Sequence, residues 1–359
     1  IKAYYKGCNV YKAQPFSNFN FKVMTFNSFM GIDISKKTLD LCLLSSDNAP
    51  DHCTIENNTT AIEHHFTKVI NAAASKNEKI LFMMEHTGIY NEKIAAFLEK
   101  KNQDIWQCNP NEIIRSNGLQ RGKTDKVDAL RIAKYAMRNI DKYRPHIPMR
   151  EELTQIKRLF AVRRNLVKSR KQVKALCQDY DFLNPKLISI EKKSVSQAIL
   201  ALDRQIDNIE EEIKLRVLND PFISRLYMII TSIMGISFVT AVKIIIATNE
   251  FKKITSAKAL SCHAGVAPFQ HTSGTSLKGQ TKVSHIADKE LKSLLHMSAI
   301  AAIAHPGELR EYYLKKVDQG KHKMKVINNV RNKLIHRVYA CIKNNRIYQK
   351  NYNNCLTLT

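Results

Sequence analysis

The sequence predicts an α/β domain in its first 145 residues and a largely helical chain after it. Three observations carry this prediction. Between residues 29 and 108, short apolar runs of strand length alternate with two amphipathic stretches. From residue 159 onward apolar residues recur in steps of three and four, the period of helices. Pro145 and Pro148 stand between the two regimes. With 359 residues the chain is long enough for two or three domains and at least one sizeable core.

The first strand is predicted over 29–35, an apolar run carrying one acid, Asp33. A carboxylate there is costly to bury unless it is paired or bound to a metal. Strands over 38–44 and 52–57 follow, joined by a turn-rich 45–50, so the first three form an antiparallel meander. A helix over 59–75 presents Ile62, Phe66, Val69 and Ile70 on one face. Residues 80–84 are continuously apolar, as a central strand covered on both faces requires, and end at Glu85. A helix bearing Ile94, Phe97 and Leu98 leads to a strand over 104–108, stopped by Asn109-Pro110. Three strands, then helix, strand, helix, strand, helix is the order of a ribonuclease H-like domain.

Asp125 and Asp128 sit three apart at the head of the next helix, with Thr124 placed to cap it. Residues at i and i+3 share a helix face, and a helix N-terminus favours negative charge. Two such acids can be an ordinary solvated first turn, and Glu85 alone can be a surface acid. Together with Asp33, however, they fall where open α/β sheets gather ligand groups, at the carboxyl ends of strands. Four carboxylates there make a hard-oxygen site suited to Mg²⁺ or Mn²⁺. Such ions activate nucleophiles and stabilise departing oxygens in phosphodiester chemistry. Arg121 and Lys123 lie just upstream, where a phosphate backbone could pass.

The net charge of +25 is spread along the whole chain and points to a polyanionic partner. A membrane is the weaker candidate, because no apolar run approaches the ~20 residues of a spanning helix. None of the eight cysteines forms a CxxC pair, so neither a zinc ribbon nor a disulfide framework is suggested, and a reducing cytoplasm fits. Residues 1–28 lack periodicity and signal-peptide features, and read as a non-native or disordered extension with a start near Met24 or Met30.

Over 146–217, Leu159, Val162, Leu166, Val173 and Leu176 form one heptad-like series and Val195, Ile199, Leu202, Ile206, Ile209 and Ile213 another. A link containing Pro185 separates them, which suggests an α-hairpin or an intermolecular coiled coil. The first series carries eight basic residues between Lys157 and Lys174 and no acid. Arg163, Arg164 and Lys168 there are candidate contacts to a nucleic-acid backbone, without base reading. In the C-terminal part, 218–345, two apolar helices flank Gly235, either as a phosphate-holding helix–hairpin–helix or as a plain packed corner. A polar loop is predicted after Ala264-Gly265, with Gly274, Gly279, Lys278 and several hydroxyls. Residues 308–350 hold 12 Lys/Arg against 3 Asp/Glu, with Lys323 and Arg331 as candidate phosphate contacts. The tail, 346–359, is expected to be disordered.

Three blocks carry a family resemblance: Gly31-Ile-Asp-Ile-Ser, Met84-Glu-His-Thr-Gly-Ile-Tyr90 and Gly118-Leu-Gln-Arg-Gly-Lys-Thr-Asp-Lys-Val-Asp-Ala129. They resemble the signatures of the DEDD transposases, the RuvC-like recombinases of bacterial insertion-sequence family one-ten. The resemblance runs from about residue 29 to 345. It implies a RuvC-like domain whose catalytic, metal-binding acids are Asp33, Glu85, Asp125 and Asp128. A coiled-coil segment used for oligomerisation and a mainly α C-terminal transposase domain would follow. The block Ala264-Gly-Val-Ala-Pro268 to Gly279 resembles the family's conserved loop, whose serine attacks DNA and forms a covalent 5′-phosphoserine link. Matched by position, that serine is Ser273, with Ser276 as the alternative. A serine needs a base or metal beside it. The resemblance further implies DNA ends and a target chosen by a noncoding bridge RNA, a homodimer or tetramer, no membrane partner, and a place on the bacterial nucleoid. The chain departs from the usual helix–hairpin–helix pattern at Met234 and Ser237, and from the family at Ala287-Asp288 and Lys292, where Gly-His and Arg are usual. Two other readings use the same residues: a RuvC-like junction endonuclease acting by metal-assisted hydrolysis, and an inactive nucleic-acid-binding remnant.

Overall fold

A computed structural model of the protein describes residues 26–45, 49–86, 88–116, 124–177, 180–184, 188–273, 277–283 and 286–349. For 181, 269–273 and 277–282 the backbone alone is described. The chain forms two compact units that divide between Pro148 and Met149.

The first unit is a five-stranded sheet of β1 (Ser28–Ile34), β2 (Thr38–Ser45), β3 (Asp51–Glu56), β4 (Ile80–Glu85) and β5 (Asp104–Cys108), in the order β3-β2-β1-β4-β5. The meander β1–β2–β3 is antiparallel, and β4 and β5 add in parallel beside β1. This mixed sheet with helices on both faces is consistent with a ribonuclease H-like domain. Strand periodicity sorts the side chains into two cores. Met30, Ile32, Ile34, Phe82 and Met84 lie under α1 (Thr59–Ser75) and α2 (Glu92–Lys100) with Ile62, Phe66, Ile94 and Leu98. Leu81, Met83, Trp106 and Cys108 lie on the other face, with Ile113 of α3 (Pro110–Ser116) and Ile132, Tyr135 and Ala136 of α4 (Asp125–Arg138). The unit starts earlier than the sequence predicts: Phe26 packs edge-on against Tyr143, 5.6 Å between ring centres, so 26–28 belong to the fold. Those rings cover apolar surface that a start at residue 29 would leave in water.

In the second unit, α5 (Glu151–Ala175) and α6 (Ser189–Asn219) pair antiparallel within the chain, with Arg163–Glu210 at 2.7 Å and Arg170–Asp203 at 2.6 Å. This is the hairpin of the two alternatives. Its root is buried through Leu153, Ile156, Phe160, Ile213 and Val217, which join the core of the helices that follow. Farther out, Leu166, Val173, Val195 and Leu202 are only half-buried, because two helices alone cover just one side of each seam.

Those following helices are α7 (Pro221–Thr231), α8 (Phe238–Thr248), α9 (Ala257–His263), α10 (Lys289–Ala304), α11 (Glu308–Asp318) and α12 (Lys323–Lys343). Gly235, between α7 and α8, has φ +91°, and a Cβ there would stand 2.4 Å from the Ser298 carbonyl oxygen on α10. The glycine therefore serves helix packing, which is the plain corner of the two readings. Where the sequence predicts a loop after Gly265, the structure forms a β-hairpin of β6 (Pro268–Ser273) and β7 (Leu277–Val283). Backbone groups there satisfy one another across the pair, an option that a search for glycines and hydroxyls does not register. At the C-terminal end, the Tyr348 amide donates to Ser232 Oγ at 2.9 Å and Arg337 lies over the Tyr348 ring, so 346–348 fold back onto α7 instead of trailing away. Among the described residues no helix is long and apolar enough to cross a membrane.

Candidate active site

The register of the sheet aligns one transverse row of side chains. Asp33 pairs with Asp40, and Asp40 with Thr54. On the other side Ile32 pairs with Met84, so the next step along both strands brings Asp33 beside Glu85, and Glu85 pairs with Cys108. The row thus reads Thr54, Asp40, Asp33, Glu85, Cys108 across β3-β2-β1-β4-β5. By strand alternation all five share the face that α4 covers, since Leu81, Met83 and Cys108 pack there.

Helix α4 reaches this face because Gly31 lets it. A Cβ on Gly31 would stand 2.2 Å from the Ala129 carbonyl oxygen and 2.5 Å from the Ala133 nitrogen, so helix backbone rests directly on strand backbone. Asp33 is the next residue of β1 on that face; Asp128 directly precedes Ala129 on α4, and Asp125 lies about one turn before it. Thr124 caps the helix, accepting from the Val127 amide. The outcome is electrostatic. Burial raises the Asp33 pKa above its usual 3.8, and the charges of Asp128, Asp125 and Asp40 raise it further. Asp128 is also held by Arg131, with Nη1 2.6 Å from Oδ1. The Glu85 carbonyl accepts from the buried Asn91 side chain at 2.6 Å. Among the described residues, no three or more His, Cys, Asp or Glu side chains are gathered closely enough to hold a metal ion. The chemistry of the donors, carboxylate oxygens alone, nonetheless fits a hard divalent cation.

Asp40 is the acid that sequence reasoning missed. Thr38-Leu-Asp-Leu-Cys42 carries the same signal as the first strand, one acid in an apolar run, and the meander sets the two acids opposite each other.

Ser273 is the last residue of β6, opposite Leu277, and Lys278 stands opposite Thr272. Ser276, Arg121 and Lys123 lie outside the described residues. The Asn328 amide donates to the Val266 carbonyl at 2.8 Å and ties the hairpin's root to α12. Asp288 caps α10 and pairs with Lys243 at 3.0 Å.

The basic candidates divide. Arg163 is engaged with Glu210; Arg164 is exposed but lies 3.8 Å from Glu290, and Lys168 and Lys323 are exposed. Exposed Lys157, Arg164, Lys168 and Lys171 follow helical spacing along one side of α5. Arg331 corrects its expectation: it is 7% exposed, with Nη2 2.5 Å from His296 Nδ1. It sits four residues after Ile327 and three before Leu334, on the inward stripe of α12, and that spacing was visible in the sequence.

Comparison with known proteins agrees with this architecture. Residues 30–180 match the family model for DEDD transposases of the IS110 type, described as "Transposase". Residues 227–314 match that of "Transposase IS116/IS110/IS902 family". The chain belongs to the IS110 family of transposases. It is an enzyme of DNA transposition or recombination. Among its relatives, the pilin gene-inverting protein of Moraxella bovis is 29% identical over 337 residues, 90% of this chain and 98% of the relative. The pilin gene-inverting protein of Moraxella lacunata is 29% identical over 340 residues, with the same coverage of both chains. An insertion element IS116 protein of 44.8 kDa from Streptomyces clavuligerus is 25% identical over 154 residues, 43% of this chain and 37% of that one.

Proposed function

We propose that this IS110-family enzyme cuts and rejoins DNA through a serine–DNA ester, with a divalent cation bound by Asp33, Glu85, Asp125 and Asp128. The observation that carries the reading is the acid row: Asp33 and Glu85 side by side on adjacent strands, with α4 bringing two more carboxylates close enough to raise Asp33. Burial and the charges of Asp128 and Asp125 disfavour the ionised form of Asp33, and a cation relieves that cost. Bound there, Mg²⁺ or Mn²⁺ would supply positive charge to a phosphate and its departing oxygen.

Ser273 Oγ attacks the scissile phosphorus. An Oγ–P bond forms, the P–O3′ bond breaks, and the departing 3′ oxygen takes up a proton. The phosphoester energy stays in the enzyme–DNA link, so rejoining to another 3′ hydroxyl needs no outside energy source. The two Moraxella relatives are named for inverting a gene, which is a rearrangement of DNA. The exposed basic side of α5, together with Lys278 and Lys323, provides backbone contacts for DNA and for a noncoding bridge RNA that selects the sites. The outer part of the α5–α6 hairpin joins protomers into a dimer or tetramer.

The test uses the full chain with end-labelled element DNA and Mg²⁺. A DNA adduct that survives denaturation, absent in Ser273→Ala and after chelation, is the expected result. The acids and Ser273 belong to different units, which favours one competing reading: hydrolysis by the first unit alone. Full-rate cleavage by Ser273→Ala with no adduct would establish it.

A further inference from the structure

The proposed cation site names four acids, but the sheet places a fifth beside them. Asp40 pairs directly with Asp33 across β1 and β2, an arrangement that sets Cβ atoms about 4.5–5.5 Å apart. It is 8% exposed. Its Oδ1 accepts the Thr54 hydroxyl at 2.6 Å, across the next strand pair. No lysine, arginine or histidine among the described residues forms an ion pair with it. Buried carboxylates are ordinarily paired with a cation or bound to a metal. This one has a single hydroxyl donor on one oxygen and a second carboxylate for its neighbour.

Like charges set opposite each other across a strand pair destabilise the sheet. A purely structural role does not explain such a pair, because Asn or Ser at position 40 would take the Thr54 hydrogen bond without the charge. We infer that Asp40 is a positioning residue of the cation site: its charge, held in place by Thr54, strengthens divalent-cation binding by Asp33 and its partners. Thr54 keeps one oxygen engaged and so steadies the side chain in the position opposite Asp33. Asp40 then stands to Asp33 as outer-shell groups stand to metal ligands elsewhere, where their loss weakens binding about 10–100-fold.

This inference rests on the cation reading above, and its test separates the two. Mn²⁺ is titrated into the DNA-free full chain and followed by electron paramagnetic resonance, alongside melting temperatures with and without Mn²⁺. Wild type, Asp40→Asn and Asp33→Asn are compared. Asn keeps an oxygen for the Thr54 hydroxyl, so Asp40→Asn retains the fold. The expected result is Mn²⁺ binding weakened about tenfold or more in Asp40→Asn. Its cation-free melting temperature should rise, because a like-charge pair has gone. A structural role would instead lower that temperature and leave the affinity alone. If Asp40→Asn did not fold, Thr54→Val carries the test: weaker Mn²⁺ binding supports the inference and unchanged binding overturns it. Wild type that binds Mn²⁺ while Asp40→Asn binds it equally well overturns the inference and spares the cation reading. Wild type with no Mn²⁺ site sensitive to Asp33→Asn removes both.

Discussion

Gly31→Ala offers a sharp test of how the acids are brought together. The added methyl would sit 2.2 Å from the Ala129 carbonyl oxygen and 2.5 Å from the Ala133 nitrogen, both helix backbone, so no side chain can rotate out of the way. Normal contact needs ~3.5 Å, so α4 must withdraw by roughly 1–1.5 Å or tilt. Overpacking of this kind costs about 1–3 kcal/mol. For a unit of this size that lowers the melting temperature by roughly 4–12 °C. The second effect is larger. Asp125 and Asp128, to which the proposed mechanism gives catalytic roles, ride on α4, and misplacing catalytic groups by ~1 Å costs about 100-fold in rate. The assay is a single-turnover cleavage time course on element-end DNA at a temperature where the variant remains folded by circular dichroism. Wild-type cleavage together with a wild-type melting temperature would refute the close approach of α4 to β1, and with it the geometry assigned to the acids.

Arg150 binds Asp220 through two hydrogen bonds of 2.8 and 3.0 Å and also holds Glu250, whose side chain is fully buried. Arg150→Met leaves that carboxylate with Lys252 alone, 2.7 Å away, and strips Asp220 of its cation, so the melting temperature of the second unit should fall. The same bond sets a pH dependence: Arg150 holds the Asp220 carboxyl below its usual 3.8. That stability is present above 3.8 and is lost as the pH falls through the depressed value, so wild type should show an acid-side decline that is smaller in Arg150→Met, where only the backbone amides of Ile223 and Phe222 still hold the carboxylate. On α12, Lys323→Ala should reduce the slope of log binding constant against log salt by about 1, as loss of one phosphate contact does. Arg331→Met, removing a buried cation, should leave that slope unchanged; a reduced slope would return Arg331 to the DNA-binding surface.

Most elements of the first unit were legible: apolar runs of strand length at β1, β2 and 80–84, steps of three and four in α1, and a capped acidic first turn in α4; α3 was not, because it is two turns long and opens on the proline that reads as a stop. The β6–β7 hairpin was not, because it is short, rich in polar residues and stabilised by cross-strand backbone bonds that leave little trace in composition. Arg163 and Arg331 read as nucleic-acid contacts because charge can be counted along a chain. Their engagement by Glu210 and their burial beside His296 depend on which side of a helix meets which neighbour.

By itself the sequence determined the chemical inventory: four acids at element ends, a serine after the Val-Ala-Pro run, an excess of positive charge, and element types dictated by periodicity. Only the tertiary structure decided which of those groups are neighbours. Asp40 joins Asp33 through strand register, and Asp125 and Asp128 approach it because one glycine lets two backbones touch. Register and close approach are relations between segments distant along the chain, and they arise only when the sheet closes and α4 settles on it.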